Sequence, residues 1–354
     1  MPVAASPSAR IAPIVSIQYL RAVAAIAVVV FHQLQEVHPA FLYGEHGVDI
    51  FFVISGFIMV ALSDQRKTTP GKFIIDRIVR IVPLYWIGTI AVALTAVLGI
   101  HFYQATADAT HLAKSLLFIP AHNPFGELFP TLYLGWTLNY EMFFYALFAL
   151  SLYLAPAMRL PLMAVVFVVL VLLGRLLQPE GAILKTLTDP ILLNFLAGMA
   201  LGKLFGASLR AQPMRDVTVA AIALVVGLAV LSLVFDRMVF ATLATLIVAA
   251  GLFLERGGMV PSIPWLKILG DASFSIYLFQ NFAFEAVNLL FHRLGLDHLQ
   301  LVRKGVSIFA AIGLGYLVYR LVEGPVTGFA RRAASRVGRS RAWSPPAGGE
   351  PSAG

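Results

Sequence analysis

The chain contains no cysteine, which excludes a structural disulfide, a thiolate metal site and a cysteine nucleophile and leaves the redox compartment unspecified. Charge is scarce as well. Only 12% of the 354 residues are Asp, Glu, Lys or Arg, about half the share of a soluble globular protein. So few charges cannot solvate a chain that is 59% hydrophobic, so a water-soluble enzyme and a disordered chain are both excluded. The sequence lacks HExxH, P-loop and Rossmann glycine signatures, and no metal is expected; His32 and Glu36, four apart, make a poor metal signal on their own. No internal repeat points to an inverted-repeat transporter. The net charge of +8 is carried by short segments between apolar runs, with no aromatic-basic module, so nucleic acid is not an expected partner.

What the sequence has in quantity is apolar length, with a mean hydropathy of +0.84. Runs long enough to span a bilayer, about 20 residues each, are read at 14–34, 46–63, 81–100, 131–154, 160–178, 190–207, 217–235, 238–254, 268–291 and 301–322. Backbone groups in lipid must be satisfied within the segment, and these runs are too continuous for the alternation of a membrane barrel. The expected fold is therefore an all-α polytopic membrane bundle of about ten transmembrane helices, with the lipid bilayer as partner. Placing the N-terminus inside gives the inner segments 17 Lys and Arg against seven outside, so both termini are expected to be cytoplasmic. Arg21 interrupts the first run and no small-residue cleavage site follows it, so that run reads as a retained helix and not as a secretory signal. The longest outer loop, 101–130, carries His101, His111 and His122.

An ionisable group inside a span is costly and marks a polar pathway or a site by default. Arg21 and His32 are eleven residues apart, which at 3.6 residues per turn puts them on one helix face roughly 16 Å from each other; Gln18 and Glu36 extend the stripe. Snorkelling of Arg21 and an interfacial His32 explain that pair equally well. Asp49 enters the apolar segment Gly47–Phe57, whose glycines suit close helix packing. Arg77 and Arg80, three apart and neighbours on a helix surface, approach the third run. They read either as guanidinium forks for the phosphates of a soluble cofactor or as positive-inside anchors, with Tyr85 and Trp86 in an aromatic belt. Thr137, Glu141 and Tyr145 share a face four residues apart, and Glu141 is the acid hardest to explain structurally. Asp271 and Ser275 are one turn apart, with an N-cap by Asp271 as the ordinary alternative, and Arg320 with Glu323 reads as an ion pair at a helix exit.

Taken in order, six segments resemble the acyltransferase-3 family of integral membrane acyltransferases. They are Tyr19-Leu20-Arg21 with His32 eleven residues on, Gly47 to Phe57, Arg77-x-x-Arg80 with Pro83-Leu84-Tyr85-Trp86, Trp136-Thr137-Leu138 with Glu141 and Phe144-Tyr145, Gly270-Asp271-Ala272-Ser273, and Glu323-x-Pro325. The wording at 135–141 is most similar to the exopolysaccharide-modifying branch. The resemblance makes 1–330 the acyltransferase domain and 331–354 a basic, disordered cytoplasmic tail, with single-domain transfer expected. It implies transfer of an acyl group, usually acetyl from acetyl-CoA, to a sugar hydroxyl of a bacterial surface glycan, in the inner membrane.

On matching positions the resemblance makes His32 the catalytic histidine, Arg21 its same-helix partner, and Arg77 and Arg80 donor contacts. Trp136, Tyr145, Asp271 and Ser275 are expected to bind the acceptor, a glycan or lipid-linked oligosaccharide, and polysaccharide export machinery is a candidate partner. Gln280 stands where many members have a histidine, which argues against a titrating role there. Chemically, a neutral imidazole near pH 7 can take the proton of a sugar hydroxyl as it attacks a thioester; a covalent acyl-histidine is also open. Glu141 first and Asp49 second are the carboxylates expected to orient that imidazole. The rival readings are a carrier or flippase for a lipid-linked sugar, using the same buried charges, and a non-catalytic export scaffold.

Overall fold

The protein is described by a computed structural model, in residues 14–65, 68–99, 102, 108–206, 214–233 and 238–329; the expected 331–354 tail and His101 lie outside the described residues. Among these residues the chain is all helical, with no strand. The helices are α1 (Val15–Leu34), α2 (Gly47–Gln65), α3 (Pro70–Val97), α4 (Ala109–Leu116), α5 (Trp136–Ser151), α6 (Pro156–Leu177), α7 (Ala182–Leu187), α8 (Leu193–Leu204), α9 (Met214–Ser232), α10 (Met238–Arg256), α11 (Pro264–Asp271), α12 (Ser273–Arg293) and α13 (Gln300–Val318). Eight candidate spans are long and apolar enough to cross a membrane. The two remaining runs also fold as helices but are shorter in their apolar part: α5 has 16 residues, and the apolar stretch of α9 is Asp216–Val230.

Local chemistry sets several helix starts. Thr69 caps α3 through its side chain and Pro70 supplies the first turn, where the missing N–H costs nothing. Asp108 caps α4 by accepting from the Thr110 and His111 amides. Two of the runs differ most from the hydropathy reading. The third helix begins at Pro70, not 81, because residues 70–80 have a cap and bury Phe73; Arg77 and Arg80, read as neighbours on a helix surface, lie within it. The ninth run breaks at Ala272 into α11 and α12. Asp271 closes α11 and pairs with Lys267 at 3.9 Å, so it is not an N-cap, and α12 has no side-chain cap.

The helices alternate in direction. At one end, Glu255 near the close of α10 accepts from the Val15 and Ser16 amides at 3.0 and 2.7 Å, and the Tyr19 hydroxyl donates to the Pro261 carbonyl at 2.9 Å. At the opposite end, Lys304 of α13 donates to the Gln33 carbonyl at 2.9 Å. The tightest seam is between α2 and α8. A Cβ at Gly56 would meet the Phe195 carbonyl, one at Gly198 the Val53 carbonyl, and one at Gly202 the Val60 side chain. The close-packing role read for Gly56 is thus realised. Fully buried aromatics from α5, α6 and α8, among them Phe144, Phe148, Phe167 and Phe195, fill the core beside that seam.

Candidate active site

Two cavities meet inside the bundle. The arginine cavity, about 90 Å³, is lined by Arg21, Ser55, Arg80, Thr137, Glu141, Tyr145 and Ser273 with apolar walls from α2, α3 and α12. The histidine cavity, about 360 Å³ and nearer the opposite end, is lined by His32, Glu45, His46, Asp49, Tyr133, Trp136 and Phe240. Val48 and Tyr277 belong to the walls of both, so they form the partition. The Tyr277 hydroxyl donates to the Leu134 carbonyl at 3.0 Å and lies 3.2 Å from Thr137 Oγ1, which holds the ring in place.

In the arginine cavity, helical spacing does what the sequence predicted. Tyr145, one turn beyond Glu141 on α5, donates its hydroxyl to Glu141 Oε1, and Ser55 of α2 donates to the same oxygen at 3.3 Å. Arg21 is buried and donates weakly to Gln18 Oε1 at 3.4 Å; its electrostatic neighbours are Arg80, Glu323, Asp271 and Glu141. Arg77 packs its guanidinium over the Phe73 and Tyr145 rings, and its Nε and Nη1 are buried without a hydrogen-bond partner. An aromatic belt does not describe Tyr85, which is fully buried and donates to the Ser115 carbonyl at 3.0 Å; Trp86 is exposed and donates to the Leu116 carbonyl.

In the histidine cavity, His32 contacts the Phe31 and Tyr133 rings, and no described residue hydrogen-bonds its imidazole. Asp49 is 3% exposed. Its Oδ1 accepts from Asn194 Nδ2 at 2.6 Å, and its Oδ2 lies 2.9 Å from His46 Nδ1.

The site residues read from sequence are therefore sorted into two groups, apart from Arg77, Asp271 and Ser275, which line neither cavity. Arg21, Arg80, Glu141 and Tyr145 share one cavity; His32, Asp49 and Trp136 share the other. Neither expected carboxylate orients His32: Glu141 is held by Tyr145 and Ser55 on the far side of the partition, and Asp49 is engaged by His46 and Asn194. Ser273 lines the arginine cavity, and Ser275, two residues on, is about 200° further round α12. Ser275 instead donates to Glu323 Oε2 at 2.6 Å, so the ion pair read for Arg320 and Glu323 is replaced. A π-helical turn over Tyr319–Glu323 shifts the register there; Glu323 joins Arg80 and Arg21, while Arg320 is exposed. Gln280 is fully buried and donates to the Tyr277 carbonyl.

His46, Asn194 and Ser55 were not singled out from sequence. His46 stands three residues before Asp49, a spacing that brings the two side chains together across a helix start. Asn194 is a lone amide in an apolar run, which is itself a signal in a membrane segment.

The fold and cavities define a polytopic α-helical membrane protein with a buried, arginine-rich polar core joined back to back with a histidine-bearing cavity. The sequence profile of the acyltransferase-3 family, described as an acyltransferase domain, matches residues 14–336. The chain belongs to that family. It is also 40% identical over 313 residues, 85% of this chain and 96% of the relative, to the exopolysaccharide production protein ExoZ of Rhizobium meliloti (strain 1021). No solved structure matches. Among the described residues no cluster of His, Asp and Glu could hold a metal ion.

Proposed function

We propose that the protein moves an acetyl group from acetyl-CoA to a hydroxyl of a bacterial exopolysaccharide or other surface glycan, with His32 as general base. The observation that carries this reading is the back-to-back pair of cavities, one bearing guanidinium groups and the other an imidazole to which no described residue hydrogen-bonds. Family membership makes the chemistry acyl transfer. The relative's name, an exopolysaccharide production protein, supports an exopolysaccharide as the glycan.

The excess of Lys and Arg in the segments on the N-terminal side of the bundle supports a cytoplasmic face there in a bacterial inner membrane, where acyl-CoA is available. Arg77 and Arg80 suit the phosphates of that donor, since a guanidinium fork matches them in pairs. Glu141, held by Tyr145 and Ser55, offsets the charge of the arginines around it. The acceptor sugar occupies the histidine cavity, where Trp136 and Tyr133 give aromatic walls to its ring. There His32 takes the hydroxyl proton as the sugar oxygen attacks the thioester carbonyl carbon. The C–S bond breaks and the imidazolium returns the proton to the departing thiolate, so the products are a sugar ester and free CoA.

Ester content of glycan from cells carrying wild type, His32→Ala or no protein tests the reading. Esters with wild type alone support it. Glycan that loses its export but keeps its esters per sugar would replace it with the carrier for a lipid-linked sugar.

A further inference from the structure

We propose that His46 is a second imidazole of the acceptor site, fixed by Asp49 so that its Nε2 hydrogen-bonds a ring hydroxyl of the bound sugar. The inference rests on the acyltransferase reading of the same cavity and adds to it the group that holds the acceptor.

Two contacts lock the His46 ring, and a third holds Asp49. Asp49 Oδ2 lies 2.9 Å from its Nδ1, and Phe240 stacks on its face with centroids 3.3 Å apart and planes 7° from parallel. Asn194 in turn donates to the other Asp49 oxygen at 2.6 Å. A carboxylate accepts and does not donate, so the bonded Nδ1 carries a proton and Nε2 remains as the free nitrogen of the ring. The neighbour of Nε2 is Glu45 Oε1 at 3.5 Å, longer than a normal N–H to O hydrogen bond. The Glu45 side chain is 55% exposed, so a sugar hydroxyl can displace it at little cost.

Burying a carboxylate and an amide beside a half-buried imidazole is expensive where leucines would pack. The arrangement also differs sharply from that of His32, which lines the same cavity with no hydrogen-bond partner among the described residues. A proton-transfer group must change charge during the reaction, whereas a holding group works best when its tautomer and ring plane are fixed beforehand. The two histidines fit these two tasks. Asp49 and Asn194 are positioning residues, acting through His46.

The test uses the full chain in lipid nanodiscs, with acetyl-CoA as donor and the host's exopolysaccharide, stripped of esters by mild base, as acceptor. His46→Phe keeps the stack on Phe240 but removes both nitrogens. Asp49→Asn keeps the shape but cannot accept from His46 and Asn194 together. Both should raise the acceptor KM about tenfold, the worth of one hydrogen bond, with donor KM unchanged. His46→Gln, which restores a polar tip, should recover part of the loss. A wild-type acceptor KM in His46→Phe would overturn the proposal, as would a parallel loss of folded yield and of both substrates' KM in all three variants, the mark of a purely structural pair. Wild-type protein that transfers nothing is a different result, and it removes the acyltransferase reading beneath the proposal.

Discussion

Replacing Arg77 by methionine should weaken the donor while leaving the unliganded protein as stable as before or more so. In the wild type, Nε and Nη1 of Arg77 are buried with no partner, and an unsatisfied buried polar group costs about 1–3 kcal/mol, more when charged. Stacking on Phe73 and Tyr145 returns only part of this, about 0.5–2 kcal/mol for a cation over an aromatic face. Methionine fills a similar length, keeps apolar contact with both rings and removes the orphaned donors. Phosphate groups of the donor would satisfy those donors with charge-assisted hydrogen bonds worth about 1.5–3 kcal/mol each. Losing one raises the donor KM roughly ten- to a hundredfold. Unfolding followed by tryptophan fluorescence in detergent, with and without acetyl-CoA, reads both effects. In the wild type, saturating donor at 100 times its Kd adds about 2.7 kcal/mol. Arg77→Met at the same concentration should show much less of that gain from an equal or higher starting midpoint. A donor KM within twofold of wild type, or a lower midpoint without donor, would refute the reasoning.

Topology is testable directly because the chain has no native cysteine: Gly71→Cys and Gly258→Cys should label only from the cytoplasmic side and Ala121→Cys only from outside, and the reverse pattern would invert the bundle. Gly198→Val should lower the thermal midpoint, since its side chain would strike the Val53 carbonyl and overpacking costs about 1–3 kcal/mol. Gly71→Ala, which meets nothing within 4 Å, is the neutral control, and equal stability of the two would contradict the α2–α8 seam. His111, in α4 outside the spans, is 4% exposed, and burial holds its pKa below the usual 6.5. Its neutral form is the folded one, so the stability it contributes is present above pH 6.5 and declines as the pH falls below that value. His111→Leu should flatten this part of the pH profile, and an unchanged profile would show that another group titrates.

Hydropathy alone made the ten helices legible, because lipid forces each apolar run to close its own hydrogen bonds. It was weakest where polar residues belong to a helix: the apolar run begins only at 81, whereas the helix starts at the cap formed by Thr69 and Pro70. Helical spacing correctly paired Glu141 with Tyr145 and placed Arg77 beside Arg80. It could not report that Val48 and Tyr277 stand between Glu141 and His32, since that partition is built from α2 and α12, remote in sequence. Asp49 was visible as an unexplained acid, but its partners come from a 3₁₀ turn before it and from Asn194, 145 residues away. Glu323 was assigned to Arg320 by proximity in sequence. The π-helical turn that carries it to Ser275 leaves no mark in composition.

The central claim, acyl transfer with His32 as base, is tested most directly by transfer of radiolabelled acetyl from acetyl-CoA to ester-free exopolysaccharide by purified protein in nanodiscs, comparing wild type with His32→Gln. Glutamine keeps the polar tip and much of the shape of histidine yet cannot take a proton near neutral pH. Acid–base catalysis contributes about 10²–10⁴-fold, so wild type should label the glycan and His32→Gln should fall by at least a hundredfold with donor KM unchanged. Labelling by His32→Gln at the wild-type rate would contradict the account.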